Sequence, residues 1–450
     1  MTRRRPPKIA TEAIAILLAG AATSLAAPGL AGVSEELYVR AGTLIDGTGS
    51  APRRNMGIVI RGERIESVAP WRDLRPPATA EVVDLSGATV LPGLIDCHVH
   101  LTMMLTRGWE FEPVKATPAD AAIAGTVNAR RTLQAGFTTV RNLHDRGGES
   151  VSLRQAIDRG LVPGPRMLTA RQMLSITGGH GDWGNGFRPE LRLAGVEPID
   201  NGVCDAPDAC RAAVRHQVKY GADVIKISAT GGVLSPGDEI GARQFNDDEL
   251  RALVAEAHTL GRKVAAHAHG TAGIKAAVRA GVDSIEHGSI LDDEAIRLMK
   301  EHGTFLVPTL MAGETVEARA KAGSLPEFAV EKALAVRPRL RESFGRAVRA
   351  GGRAAFGTDS AVSTHGENAH EFELMVGAGM APLDAIAAAT RDAAELLGRA
   401  SDLGTLESGK LADLVAVPGD PVQDIAVLRR PVAVIKGGRR VPREPENPRP

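Results

Sequence analysis

Short β-branched runs alternate with longer amphipathic stretches through the middle of the chain. The runs predict eight strands, over 88–97, 138–143, 166–170, 224–228, 263–268, 284–287, 304–308 and 353–357. Helical spacing of apolar residues predicts helices over 118–134, 205–220, 247–260 and 382–397, with short helices after Thr271 and Asp292. This alternation predicts parallel strands. Eight units fit a (β/α)8 TIM barrel, whose active site lies at the C-terminal strand ends. The rival, an open doubly wound sheet, lacks a Gly-x-Gly-x-x-Gly motif after its first strand.

Both ends of the chain have a different pattern, with short strand-like runs separated by Gly and Pro. The runs lie at 37–44, 57–60, 64–68 and 81–84, and again at 413–417 and 432–436, where Gly437-Gly438 is typical of a hairpin turn. We therefore expect an α/β protein in which residues 36–90 and 401–440 form one small β-sandwich-like domain beside a barrel over 91–400. Residues 441–450 are expected to be a loose tail, and 173–201 and 312–325 to be active-site loops.

The first 26 residues have the layout of a secretory signal. Arg3, Arg4, Arg5 and Lys8 precede an apolar run that is too short to span a membrane, and small residues follow up to Ala26. The segment 1–26 is therefore predicted to be a signal peptide, and the protein to be secreted or periplasmic, without a membrane span after cleavage. The sequence leaves open whether export follows the general or the twin-arginine route.

Composition excludes some functions. Lys plus Arg and Asp plus Glu both number 54, so nothing indicates a nucleic-acid partner. Aromatic residues make up 3% of the chain, which disfavours a carbohydrate-active barrel that stacks sugar rings. The chain has three cysteines, and Cys204 and Cys210 are close enough in sequence to close a small disulfide loop in an oxidising compartment.

One predicted strand ends in an unusual series of polar residues, at 91–100 (LPGLIDCHVH). Alternate side chains of a strand point to opposite faces, so Asp96, His98 and His100 share one face. Burying three polar groups in a row is costly unless they face a cavity or partners. Two imidazoles on that face can bind a divalent metal, although a pair of hydrogen-bonded core histidines is the simpler alternative.

Other predicted strands also end in residues that can bind metals. Lys226 lies inside the apolar run VIKIS, and His267 and His269 share a face at the end of the fifth strand. His287 ends the sixth strand, and Asp359 comes just after the eighth. The C-terminal ends of parallel barrel strands meet at one face, so we expect these side chains to converge. A buried Lys226 would tend to lose its proton, and a neutral amine can react with carbon dioxide to give a carbamate, an oxygen ligand for metals.

With these motifs, the sequence resembles the amidohydrolase superfamily of metal-dependent hydrolases. The resemblance covers residues 91–100, the Lys226 strand, His267, His287, the Gly357-Thr358-Asp359 turn and the segment 404–415 (GTLESGKLADLV). It implies two divalent ions, with zinc expected. His98 and His100 would bind the inner ion with Asp359, and His267 and His287 the outer ion. Carboxylated Lys226 would bridge the two ions together with a hydroxide, and Asp359 would act as general base and then general acid.

The run 224–233 (VIKISATGGV) is most similar to one branch of that superfamily. The branch consists of exported peptidases that cleave dipeptides ending in Pro, Arg or Lys, with relatives that hydrolyse ochratoxin. A dipeptide-like or N-acyl amino acid substrate is therefore expected, and such barrels often form homo-oligomers. The expected substrate contacts are His269, His144, His180 and Arg188. A cyclic amide hydrolase on the same scaffold and a non-catalytic metal-binding protein remain the alternatives.

Overall fold

The computed structural model describes residues 36–188 and 198–442. The predicted signal peptide and residues 443–450 of the predicted tail lie outside these ranges. The strands, in chain order, are β1 (Glu36–Leu44), β2 (Arg53–Arg61), β3 (Arg64–Pro70), β4 (Glu81–Pro92), β5 (Leu94–Val99), β6 (Phe137–Asn142), β7 (Arg166–Thr169), β8 (Val224–Ser228), β9 (Lys263–Ala268), β10 (Ser284–His287), β11 (Phe305–Val307), β12 (Leu414–Pro418), β13 (Ala433–Lys436) and β14 (Arg439–Arg440).

Twelve helices are described, and most of them follow the barrel strands. They are α1 (Glu112–Lys115), α2 (Pro118–Gln134), α3 (Glu149–Asp158), α4 (Pro207–Lys219), α5 (Asp247–Thr259), α6 (Thr271–Ala280), α7 (Asp293–His302), α8 (Leu310–Lys321), α9 (Glu327–Arg349), α10 (His370–Gly377), α11 (Pro382–Ala388) and α12 (Arg391–Leu396). Within the described ranges, no helix combines the length and the apolar character that a membrane span requires.

Strands from both chain ends form one sheet of seven, in the order β14-β13-β12-β4-β1-β2-β3. The glycines at 437 and 438 both have positive φ and make the predicted hairpin turn between β13 and β14. The sheet curls, because Arg64 at one edge forms a bridge with Leu411 next to β12. Its concave side encloses an apolar core that includes Val39, Ile58 and Leu414. A small β domain built from both termini is thus confirmed.

The barrel consists of two parallel sheets that meet along their edges. One has the order β5-β6-β7 and the other β11-β10-β9-β8. Residues after β7 join them on one side, where Leu174 pairs with Ile227 of β8. On the other side, the segment 353–360 lies between β11 and β5, with a bridge from Leu306 to Ala354 and another from Val99 to Ser360. The predicted barrel architecture is confirmed.

The predicted eighth strand, at 353–357, is not a regular strand in the structure. Its one bridge joins Ala354 to Leu306, and Asp359 just after it has φ of 56°, in the left-handed region, which ends the extended conformation. Gly357 lets this segment pack closely, because a Cβ atom there would lie 2.3 Å from Val307 Cγ1 and 3.0 Å from His98 Cβ. The segment therefore closes the barrel through close packing rather than through a regular ladder.

The predicted first strand, at 88–97, is two elements. Residues up to Pro92 belong to β4 of the small sheet, and β5 of the barrel begins at Leu94. Gly93 lies between them, and its N–H donates to Asp413 O at 2.7 Å. A single apolar run thus crosses from one domain to the other, which the hydrophobic pattern alone does not reveal.

Helix starts follow the sequence closely where a capping box is present. Thr117 with Asp120 caps α2, and Asn246 with Glu249 caps α5, each through reciprocal side-chain to backbone hydrogen bonds. The predicted helix at 382–397 is divided into α11 and α12, because Thr390 has φ −132° and ψ −93°, outside the helical region. The expected loop at 312–325 is wrong, since most of it belongs to α8.

Cys204 and Cys210 provide a test of the predicted export to an oxidising compartment. Cys204 and Cys210 are both buried, are not bonded to each other, and place their Sγ atoms 2.8 Å apart. We expect exported protein to lose two of its three titratable thiols when reductant is removed, because an oxidising compartment favours pairing of thiols held this close. Thiol titration in denaturant, with and without reductant, measures this. The Cys97→Ser variant should lose one thiol under both conditions, and three free thiols in exported wild-type protein would contradict the expectation.

Candidate metal centre

Three predicted ligands meet where β5 adjoins the segment that closes the barrel. Asp359 N–H donates to His98 O at 2.7 Å, which ties the two chain segments together. Asp359 Oδ1 lies 3.0 Å from His100 Nε2 and 3.5 Å from His98 Nε2. The three ligand atoms of this first ligand group (His98, His100 and Asp359) lie within 4.8 Å of one another. Two imidazoles and a carboxylate at this spacing suit one divalent ion.

A second ligand group consists of His267, His269 and His287, whose ligand atoms also lie within 4.8 Å of one another. The rings of His267 and His287 are 4.7 Å apart, and those of His269 and His287 are stacked at 4.9 Å. His269 Nδ1 contacts Ser289 Oγ at 2.7 Å. The structure therefore brings His267 of β9 and His269, just after β9, to the site, and the choice of His267 over His269 as the ligand stays a prediction.

Burial keeps these imidazoles in the form that binds metals. It lowers the pKa of His98 to about 4 and that of His269 to about 3, and it lowers the pKa of His267 and His287. A neutral imidazole offers a lone pair, whereas a protonated ring offers none. The residues present therefore fit two divalent ions of the kind that bind nitrogen and oxygen ligands.

Lys226 of β8 points into the barrel, as its apolar neighbours predict, and lies next to the first ligand group. Its Nζ is 3.5 Å from His98 Nε2 and it lines the same cavity as the histidines. Burial lowers the pKa of Lys226 to about 8, in spite of Glu286 and Asp359, which raise it. In the described part of the chain, Lys226 makes no ion pair with a carboxylate.

Sequence reasoning missed a buried ion pair that supports His98. Glu286 Oε2 accepts a hydrogen bond from His98 Nδ1 at 2.8 Å, and Arg141 Nη2 donates to Glu286 Oε1 at 2.8 Å. Burial raises the pKa of Glu286, but Arg141 and His98 outweigh it and hold the pKa at about 2. The carboxylate therefore fixes the tautomer of His98 and leaves Nε2 free for a metal. The signal that identified Lys226, a charged residue inside a buried strand, was available for Arg141 in β6.

Asp96 shares a strand face with His98 and His100 but does not join the ligand group. Its carboxylate accepts hydrogen bonds from Thr358 Oγ1 at 2.7 Å and Asn368 Nδ2 at 2.8 Å, and from the backbone N–H groups of His98 and Thr358. Burial raises its pKa to about 6. Asp96 thus anchors the residues on either side of Asp359 rather than an ion.

Three residues at the site adopt left-handed backbone conformations, which residues other than glycine rarely adopt. They are His287, Thr309 and Asp359, with φ of 71°, 51° and 56°. Each such residue costs of order 1–3 kcal/mol unless the surroundings compensate. Thr309 Oγ1 contacts His287 Nδ1 at 2.7 Å, so two of these residues support each other. Strain concentrated here is typical of a functional site.

The predicted substrate contacts differ in position. His144 and His180 line the cavity, and the N–H of Met173 donates to His144 Nδ1 at 2.9 Å. A backbone N–H can only donate, so in neutral His144 the hydrogen is on Nε2, which suits a developing oxyanion or a carboxylate. Arg188 is exposed and is not among the described residues that line the cavity, so its role stays a prediction.

The ligand groups open into a cavity of about 450 Å³ with mostly apolar walls. Five of the fourteen aromatic residues of the chain line this cavity, which composition could not show. The aromatic residues on the wall are Trp109, Phe111, Trp183, Phe187 and Phe328. The charged residues on the described wall, apart from Lys226 and Asp359, are acidic, namely Glu110 and Asp182.

Comparison with known proteins finds a matching family and several similar relatives. The model of the amidohydrolase family matches residues 89–441. Ochratoxinase from Aspergillus niger is 35% identical over 420 residues, covering 89% of this chain and 85% of that protein. The crystal structure of a Xaa-Pro dipeptidase with bound methionine is 42% identical with a TM-score of 0.87, covering 90% of this chain and 99% of the other. A prolidase complexed with N-methylphosphonate-L-proline is 36% identical with a TM-score of 0.82, covering 91% and 100%.

The hydrogen bond from His98 to Glu286 gives a test of how the site binds metal. We expect Glu286→Gln to weaken binding of one ion about 10–100-fold, since a neutral amide orients the imidazole less well and makes it less basic. Competition with a chromophoric chelator measures the affinity.

Glu249→Gln is the matched control, because Glu249 is a buried carboxylate that caps α5 and does not line the cavity. Equal metal affinity in the Glu286→Gln and wild-type proteins would show that Glu286 only balances the charge of Arg141.

Proposed function

The chain belongs to the amidohydrolase family, and from this premise we propose that it hydrolyses the amide bond of dipeptides or N-acyl amino acids, including ochratoxin-like amides. The family and its neighbours make it a hydrolase acting on C–N bonds. One observation carries the proposal: two ligand groups, each of three residues, open into the same apolar cavity. The size and apolar walls of this cavity favour a small amide with an apolar side chain.

We assign zinc to both ligand groups, because imidazole and carboxylate ligands without a thiolate suit it, with manganese, cobalt or iron as substitutes. When bound, such ions would supply Lewis-acid activation of the carbonyl and of water. We propose that Lys226, which lies beside the first ligand group and lines the same cavity as the second, completes the ligand set. Its neutral amine would add to carbon dioxide and release a proton, which gives a carbamate with two oxygen ligands.

Asp359 is the proposed proton carrier. Burial raises its pKa, but His98, His100 and Lys226 outweigh that effect, and its pKa falls below the ordinary value. Asp359 is therefore an ionised carboxylate at neutral pH, ready to accept a proton from the attacking water. The same carboxyl group can then donate that proton to the leaving nitrogen, since an amide nitrogen leaves poorly without protonation.

We also propose that the protein acts outside the cytoplasm. The support is the pattern of residues 1–26, which consists of a basic start, a short apolar run and small residues that end at Ala26. Amino-terminal sequencing of protein secreted from a suitable bacterial host tests the proposed cleavage after Ala26.

The pKa of Lys226 sets the expected pH dependence of metal loading. Below about pH 8 the amine of metal-free protein is mostly protonated and cannot form a carbamate, and above that pH it is mostly neutral. We expect the stoichiometry of zinc uptake in bicarbonate to rise from about pH 7 to about pH 9. Lys226→Met should show a lower and pH-independent uptake, and a wild-type uptake that is flat over this range would argue against carboxylation.

The Asp359→Asn variant tests the reaction. We expect the rate of hydrolysis of Xaa-Pro, Xaa-Arg or N-acyl amino acid substrates to fall about 10²–10⁴-fold, because the amide cannot carry the proton. Metal content measured on the same sample should remain near that of the wild type, because the histidines are retained.

An unchanged rate would remove Asp359 from proton transfer. Wild-type activity on hydantoins or lactams alone would reject the proposed substrate class, and bound metal without any turnover would favour the non-catalytic alternative.

A further inference from the structure

His180 is held against the second ligand group by a loop that follows β8. Its ring stacks on that of His267, with centroids 4.1 Å apart. It also packs closely against Gly232, where an added Cβ would lie 2.2 Å from Cε1 of the imidazole. The ring therefore has little freedom to rotate, and its orientation depends on the partner of Nδ1.

That partner is Ser235, whose own hydrogen is already committed. Ser235 Oγ lies 2.8 Å from both carboxylate oxygens of Asp238, and 2.7 Å from His180 Nδ1. A carboxylate can only accept, so the hydroxyl hydrogen of Ser235 is donated to Asp238. Ser235 Oγ must then accept from His180, and Nδ1 carries a hydrogen.

Asp238 is paired with a cationic side chain from a different part of the chain. Lys332 of α9 places its Nζ 2.9 Å from Asp238 Oδ1, and it also donates to the carbonyl oxygens of Gly232 and Ser235 at 3.1 Å and 2.9 Å. The N–H of Gly232 donates to Asp238 as well, at 3.2 Å. Lys332 thus joins α9 to the loop and donates to the carboxylate of Asp238.

The hydrogen on Nδ1 determines the hydrogen-bonding role of the second ring nitrogen of His180, Nε2. With the hydrogen on Nδ1, Nε2 of neutral His180 has a lone pair, and His180 lies on the cavity wall. This tautomer is opposite to that of His144, whose Nε2 is the donor. Glu110 and Asp182, the acidic residues of the described wall, add negative charge to this cavity. This part of the wall is therefore suited to a group that donates N–H bonds and carries positive charge.

We propose that His180 accepts a hydrogen bond from the protonated α-amino group of the substrate, and that Ser235, Asp238 and Lys332 are positioning residues that set its tautomer. The inference rests on the proposed function, and it makes the preferred substrate a dipeptide with a free amino end rather than an N-acylated one.

The tautomer is tested first, without substrate. In metal-loaded protein labelled with ¹⁵N-histidine, the His180 signals are identified by their loss in His180→Gln. We expect a protonated Nδ1 and an unprotonated Nε2 in the wild type, and loss of this preference in Ser235→Ala. In Asp238→Asn the new amide can donate to Ser235, so the His180 hydrogen is expected to move to Nε2. A wild-type ring with its hydrogen on Nε2 would overturn the proposal.

The role in selecting substrate is tested with two matched compounds, a dipeptide and its N-acetyl derivative. We expect the wild type to prefer the free amine in kcat/KM, and this ratio to fall about tenfold in Ser235→Ala and Asp238→Asn, as expected for a weakened hydrogen bond to a charged group. Ser235→Thr retains a hydroxyl and should retain the ratio.

An equal loss for both compounds would show that the loop residues only maintain the fold, and would overturn the proposed selection. Absence of wild-type turnover on both compounds would reject the proposed function and the proposed selection together, whereas the ¹⁵N result still decides whether the loop sets the tautomer. The two failures are thus distinguishable.

Discussion

Desolvation of basic side chains around one cavity is the constraint on which this site depends. His98, His267, His269, His287 and Lys226 are buried, and burial disfavours the charged form of each. Left protonated, they would repel one another at ring separations of about 5 Å. Neutral, they form a concentrated set of lone pairs. Burying these groups costs free energy of folding. The same burial keeps them neutral, and neutral amines and imidazoles can bind metal cations.

Residues around the ligands orient these lone pairs through hydrogen bonds. Glu286 fixes which nitrogen of His98 faces the cavity, and it is itself held by Arg141 across the barrel interior. Asp96 anchors Thr358 beside Asp359, and Thr309 contacts His287. A buried ion pair adds little net stability, but removing one member leaves an uncompensated charge. The charged interior of this barrel therefore serves the geometry of the site more than the stability of the fold.

The sequence predicted which side chains converge better than it predicted the boundaries of the elements that carry them. Alternation along β5 and β8 placed His98, His100 and Lys226 on inward faces, because a strand has one periodicity whatever surrounds it. The segment 353–360 was expected to be a strand, but the left-handed conformation of Asp359 and the close packing of Gly357 against His98 decide its path. Helix α8 was not predicted, because its amphipathic pattern is weak. Its packing against α9 and its position on the cavity wall decide its conformation instead.

The chain by itself determined which residues can bind a metal, which strand faces they occupy and that parallel strands bring them to one end of a barrel. These properties follow from local periodicity and from the chemistry of imidazole, amine and carboxylate groups. Tertiary structure alone decided the partners of those groups, such as Glu286 for His98 and Ser235 for His180. A hydrogen bond between residues far apart in sequence has no local pattern, and it depends on distances that are set only when the barrel closes.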